Sequence, residues 1–236
     1  MKLHRFYIPH ETISGGILAE KNSITITLHS FVHQISTVLK LQPNEKIVIF
    51  NGDGTEYLSN IVSYEGKNKV NVKIEEASKN NVLFKKEVYL FFSLIKKDNV
   101  EWVLEKGTEV GVSHFIPIVS ARSEKKNINI MRAEKILIEA SEQCGRNKVP
   151  ILHPITKLEN IFNDFKLQFV VLEKNTPALE IEQTLENTIA LLIGPEGGWT
   201  PDELALFEKQ KATFRSLGPT VLRSETAAIV ASSRFC

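Results

Sequence analysis

Hydrophobic positions change their rhythm once along this chain. Over about the first 75 residues they alternate with polar ones in short runs: LHRFYI at 3–8, SITITL at 23–28, EKIVIFNGDGTEYLSNIV at 45–62 and KVNVKIEE at 69–76. Successive side chains on a strand point to opposite faces, so this alternation predicts half-buried strands, with Gly52-Asp53-Gly54 and Glu65-Gly66-Lys67 as turns. Within this region HSFVHQISTVLKL, at 29–41, places Phe31, Ile35, Val38 and Leu39 at helical spacing. A small β-barrel with one helix follows from that pattern.

Beyond a polar bridge, SKNNVLFKK at 78–86, the runs become continuously apolar. VYLFFSLI (88–95), FIPIV (115–119), QFVVL (168–172), IALLI (189–193) and TFRSL (213–217) read as strands, most of them buried on both faces. Helices fit between them, one lined by Val100, Val103, Leu104 and Gly107, another by Ala133, Ile136, Leu137 and Ala140. The fold class is therefore α/β, a domain with a mainly parallel sheet preceded by the small barrel. The boundary is expected near residue 77, which divides the chain into 1–76 and 77–236.

Composition narrows this little. The 236 residues are 42% hydrophobic, enough for a core, and 29 Lys and Arg stand against 28 Asp and Glu. Charge gathers locally: residues 120–148 hold seven basic groups (Arg122, Lys125, Lys126, Arg132, Lys135, Arg146, Lys148) against four glutamates (124, 134, 139, 142). That segment reads either as a solvated helix or as a face for a polyanion. Cys144 and Cys236 form no CxxC or Cys/His ligand spacing, so neither a disulfide scaffold nor a metal site is expected, and a reducing cytoplasm fits. MKLHRFYIPHE lacks the apolar centre of a signal peptide, and no apolar run is long enough to span a membrane.

The most informative stretch is IGPEGGWTPDE, 193–203, where a buried strand runs into glycines and then a helix start. A phosphate-cradling P-loop needs a lysine and a hydroxyl directly after its second glycine, and none follows here before Lys209 apart from Thr200. A dinucleotide turn needs G-x-G-x-x-G, and Glu196 would set negative charge against a pyrophosphate. What remains is a rigid path: Pro195 fixes φ, while Gly194, Gly197 and Gly198 permit positive φ and close approach of a flat, neutral ligand. Thr200-Pro201-Asp202-Glu203 is a capping box that starts the next helix. The plain alternative is a tight strand-to-helix connection without a ligand. SLGPTVLRSETAAIV, 216–230, repeats the arrangement, and two such turns can wall one crevice at the C-terminal edge of a parallel sheet.

Taken together, HRFYI, VLKLQPNEKIVIFNGDGTEY, EKGTEVGVSHFIPIVSARS, EASEQCGRNKVP, LLIGPEGGWTPDE and SLGPTVLRSETA resemble, in the same order, the signatures of the bacterial 16S ribosomal RNA uridine-N3 methyltransferases. That family is a branch of the SPOUT, or trefoil-knot, S-adenosylmethionine-dependent methyltransferases. The resemblance implies a PUA-like RNA-binding barrel, a C-terminal domain whose chain passes through its own loop, and a homodimer acting on 16S ribosomal RNA or the small ribosomal subunit. It also implies S-adenosylmethionine bound by Leu172, Gly194, Pro195, Glu196, Gly197, Gly198, Leu217, Gly218, Leu222, Arg223, Glu225, Thr226 and Ala227. Two departures stand out. Ser120-Ala121-Arg122 replaces the usual Ser-Glu-Arg, and the chain stops at Cys236, somewhat before the family's usual end, which bears on dimer packing. The altered triplet motivates a competing reading, an RNA-binding ribosome-assembly factor with a non-catalytic knot.

Methylation of uridine N3 requires loss of its proton, so the reaction calls for a base and for a cation near O2 or O4. No metal is needed. Arg122 and Arg146 are the candidate cations, with Arg223 nearer the cofactor. Arg146, following a helix end near Gly145, is expected to be exposed, and serves either RNA or the helix dipole. Glu225 is the candidate base, although an acid in a first helical turn is also favoured structurally. Cys144 is expected to be a buried thiol rather than a nucleophile. In the barrel, Arg5 and Lys40 are candidate phosphate contacts and Phe6 a candidate base-stacking residue, equally placed for the core. His4 and His10 are weaker candidates.

Overall fold

The computed structural model describes residues 3–9, 13–14, 23–52, 54–79, 84, 86–179 and 187–236. His10 lies outside them. The chain forms two compact units, residues 1–82 with 141–148, and residues 83–140 with 149–236.

The first unit holds β1 (His4–Tyr7), β2 (Ile13–Ser14), β3 (Ser23–Ile26), α1 (His29–His33), a π-helical turn Gln34–Val38, β4 (Lys46–Phe50), β5 (Thr55–Glu65) and β6 (Lys69–Lys79). They make one six-stranded sheet in the order β1-β4-β5-β6-β3-β2, antiparallel except for β1 beside β4. The alternation read from the sequence is the burial pattern itself: Ile24, Ile26, Ile47, Ile49, Tyr57, Ile61, Val70 and Val72 all face one core. Phe31, Val32 and Ile35 close that core from α1 and the turn. Register shifts at Leu58/Ser59 and Ile61/Ser63 interrupt the β5–β6 pairing, the irregularity by which a long hairpin bends.

The second unit alternates strand and helix: β7 (Glu87–Ser93), α2 (Lys97–Val110), β8 (His114–Val119), α3 (Ile130–Cys144, its last residues grouped with the first unit), β9 (Ile151–Leu152), β10 (Thr156–Lys157), α4 (Ile161–Asp164), β11 (Phe169–Leu172), β12 (Thr188–Ile193), α5 (Pro201–Lys209), β13 (Thr213–Arg215) and α6 (Ser224–Ser233). The sheet runs β10-β8-β7-β12-β11-β13, with β9 also beside β8, and every pairing is parallel. Strands of a parallel sheet are covered on both sides, which is why they read as continuous apolar runs. Leu90 and Phe92 pack with Val100, Leu104, Leu137 and Ala228 on one face. Phe91, Ile116 and Leu192 pack with Ile161, Phe162 and Phe207 on the other.

Candidate active site

The first wall of the site begins where β12 ends. Ile193 pairs with Phe92 in the sheet, and the chain then turns through Gly194. A side chain there would stand 3.0 Å from the Trp199 indole, so Gly194 is required by close packing rather than by its φ. Trp199 is buried and meets Phe207 edge-on, which anchors the turn to the sheet face. Of the three glycines expected to use positive φ, only Gly198 does, at 68°, as its N–H closes on the Pro195 carbonyl at 2.9 Å. Gly197 is small for a third reason: the Arg122 side chain lies 3.3 Å from where its Cβ would be.

The capping box read from the sequence is formed. Thr200 Oγ1 accepts from the Glu203 N–H at 3.3 Å, and Glu203 Oε2 accepts from the Thr200 N–H at 2.8 Å. Glu203 has a further task that local reasoning missed, since its other oxygen accepts from the Ala121 N–H at 2.7 Å. Ala121 therefore acts here through its backbone, which any residue but proline supplies. Arg122 donates to the carbonyls of Gly197 and Trp199 at 2.6 and 3.3 Å. The loop after β8 thus grips the glycine turn from both its helix and its tip.

The second wall follows β13. Ser216 N–H donates to Pro177, Leu179 N–H donates to Ser216, and Arg234 donates to the carbonyls of Leu179 and Leu217. Ser224, the first residue of α6, donates from its hydroxyl to the Gly194 carbonyl at 2.6 Å and ties the second wall to the first. Between the walls lies a crevice of about 170 Å³ at the C-terminal edge of the sheet. Leu172, Gly194, Pro195, Glu196, Gly198, Leu217, Gly218, Leu222 and Ala227 line it, all expected from the sequence. Ile193, Glu173, Lys174, Trp199, Ser216, Thr220, Val221 and Ser224 line it too and were missed. Most of these lie within the quoted motifs, and Glu173 follows the expected Leu172, so neighbourhood was the available signal; Lys174 had none.

Four expected residues are not in the lining. Gly197 faces Arg122, and Thr226 is half-buried on α6. Arg223 is exposed at the helix start, where its side chain makes no capping bond. Glu225 is buried, and its Oε2 has no hydrogen-bond partner among the described residues. A buried carboxylate oxygen without a partner is costly, and such groups concentrate where charge is used.

Other candidates are corrected. Arg146 is buried rather than exposed, at 6%. Phe6 is not available for base stacking: it is 2% exposed and packs edge-on against Phe31. Arg5 is spent internally, on Glu56 at 2.7 Å and on the carbonyls of Gly145 and Arg146 at 3.2 Å each. Cys144 is exposed rather than buried. Lys40 is exposed, with a left-handed φ of 55°. Among the described residues no cluster of three or more His, Cys, Asp or Glu is placed to hold a metal, and no helix is long and apolar enough to cross a membrane.

Residues 83–235 match the RNA methyltransferase domain family and residues 35–75 the RNA methyltransferase PUA domain. The chain is 34% identical to ribosomal RNA small subunit methyltransferase E of Rickettsia conorii, over 98% of this chain and 94% of that one. It is also 34% identical to the protein of the same name from Bacillus subtilis, over 86% and 85%. A Legionella pneumophila methyltransferase solved with bound S-adenosylmethionine superposes with a TM-score of 0.86 at 28% identity, covering 99% of this chain and 96% of that one. The corresponding Neisseria gonorrhoeae ribosomal RNA small subunit methyltransferase E, bound to the same molecule, gives 0.83 at 26%, covering 98% and 95%.

Proposed function

The chain belongs to the ribosomal RNA small subunit methyltransferase E family, and from that membership we infer that it is an S-adenosylmethionine-dependent enzyme that methylates N3 of a uridine in 16S ribosomal RNA. The observation that carries this reading is the crevice between the two loops, closed at its base by Ser224 on Gly194.

The residues present fit the cofactor. Leu172, Ile193, Leu217, Leu222 and Ala227 supply apolar walls for a flat adenine, and Glu173 and Glu196 supply acceptors for ribose hydroxyls. The buried carboxylate of Glu225, its Oε2 without a partner among the described residues, lies between the lining residues Ser224 and Ala227 and suits a ligand that carries positive charge. When bound, S-adenosylmethionine supplies a methyl group already activated on a sulfonium.

The chain's own part is placement and proton handling. Arg122 and Glu203 hold the glycine turn in one geometry, so the pocket wall is set before the substrate arrives. Glu225 takes the N3 proton, directly or through water. Arg122 is committed to the Gly197 and Trp199 carbonyls and Arg146 is buried, so the exposed Arg223 carries the role of the cation beside the uridine carbonyls. Lys40 on the first unit meets the RNA backbone. The same reading gives a knotted homodimer working in the cytoplasm.

The test is to incubate the purified protein with S-adenosylmethionine and small subunits from cells that lack it, then map methyluridines in the 16S RNA by mass spectrometry. One new N3-methyluridine is expected. An unchanged map overturns the reading, and sedimentation of the same sample checks the dimer.

A further inference from the structure

A second cavity, of about 340 Å³, lies within the same compact unit, between the start of α2, the start of α3 and the chain leaving β8. Its place relates it to the crevice. Ile95, which lines it, lies just beyond the end of β7, and Lys125 N–H reaches back to the Leu94 carbonyl at 3.3 Å. On its other side β7 pairs with β12, the strand that runs into Gly194. Both cavities therefore sit at the C-terminal edge of one sheet, at the ends of adjacent strands.

Its chemistry is divided. Val100, Leu104, Ile128 and Ala133 make apolar walls, while Lys97, Lys125, Arg132 and the amides of Asn127 and Asn129 bring polar groups to the lining. The single carboxylate there, Glu101, is already occupied: Arg132 donates to it at 3.0 and 3.3 Å, and Lys97 stands 3.6 Å away. The Arg132 hydrogen bond holds that carboxyl below the usual range, so it stays ionised and paired. Lys125, exposed and without an acidic partner among the described residues, is left for an outside anion. Apolar walls, amides and surplus positive charge match one ligand class, an unstacked nucleobase with its phosphates, because a base has apolar faces, polar edges and an anionic backbone. The volume is at the lower end of the range for small-ligand sites.

We propose that this cavity is a second nucleotide subsite, which receives an unstacked base of the RNA near the methylated uridine, with Lys125 and Lys97 on the adjoining phosphates. The proposal deepens the methyltransferase reading and rests on it for the identity of the ligand.

The test uses the full chain, small-subunit RNA from cells lacking it, and two variants. Lys125→Ala removes an exposed cation and Ile128→Trp fills the cavity from a half-buried position. Each is expected to raise KM for RNA about tenfold, with kcat and the Kd for S-adenosylmethionine unchanged. Lys125→Ala should also make log KM less steep against log salt by about one, a change that a merely structural effect would not produce. RNA carrying 4-thiouridine should crosslink to the peptide that contains residues 125–129. Wild-type KM and salt slope in both variants would overturn the proposal, as would an Ile128→Trp effect confined to oligomeric state. RNA affinity measured by anisotropy without cofactor reads the subsite independently of methyl transfer. A failure of the activity itself therefore stays distinguishable from a failure of the subsite.

Discussion

The guanidinium of Arg122 donates to the carbonyl oxygens of Gly197 and Trp199, at 2.6 and 3.3 Å, across 75 and 77 residues of sequence. It holds the tip of the turn that forms one wall of the crevice. Truncation to alanine should loosen that wall and weaken S-adenosylmethionine binding by about 1.5 kcal/mol, roughly tenfold, the lower end for hydrogen bonds from a charged group. Arg122→Lys should recover part of the loss. Titration calorimetry on the three proteins decides it, and equal affinities would show that the turn holds its shape unaided.

Glu203 serves two N–H groups with its two oxygens, Thr200 within its own helix start and Ala121 from the loop after β8. Both donors lose their partner in Glu203→Ala, at a cost of about 3 kcal/mol. A domain of this size should then melt roughly 6–12 °C lower. Glu203→Gln keeps one acceptor and should fall between. A melting temperature unchanged by the alanine substitution would mean that water replaces the carboxylate at both sites.

Glu225 is the buried acid beside the crevice, and the proposed base. Glu225→Gln preserves shape and removes basicity, so single-turnover methyl transfer should slow by about 10²-fold. If the variant keeps the wild-type rate, the proton leaves by another route.

A polar chain on the opposite edge of the sheet predicts an acid-dependent stability. His114 Nε2 meets Glu87 Oε1 at 3.0 Å, and its Nδ1 meets His153 Nε2 at 3.0 Å, with Tyr89 stacked on the His114 ring. If His114 donates to the carboxylate, its Nδ1 must accept from His153. Burial, and then the nearby His114, push His153 below its ordinary pKa of 6.5. The unfolded chain therefore binds a proton more readily than the folded one. The contribution of this group is intact above about pH 6.5 and is lost as pH falls through the folded value. His153→Gln keeps an N–H donor for His114 and cannot titrate, so its denaturant midpoint should vary less between pH 7 and pH 5 than that of the wild type. Parallel midpoints would place the acid sensitivity elsewhere.

What could be read in advance divides along one physical line. The strands were legible because a parallel sheet covered on both faces demands unbroken apolar runs such as VYLFFSLI and IALLI. The capping box at Thr200 was legible because both its partners lie within one turn of helix. Phe6, Arg5, Arg146 and Cys144 were misread because each depends on what arrives from far away. Arg5 meets Glu56 across 51 residues and Gly145 across 140, so nothing beside it in sequence announces that its charge is already used.

The sequence by itself determined the two sheets, most of the crevice lining and the family, since those depend on periodicity and on motifs in a given order. Only the tertiary structure decided which charges remain available. It turned Arg122 from a candidate for the substrate into the clamp of a loop, left Glu225 buried with one oxygen unpartnered among the described residues, and gathered Lys97, Lys125 and Arg132 around an apolar cavity. The reason is that a side chain's burial and partners are set by segments packed against it from elsewhere in the chain, and its chemistry follows from them.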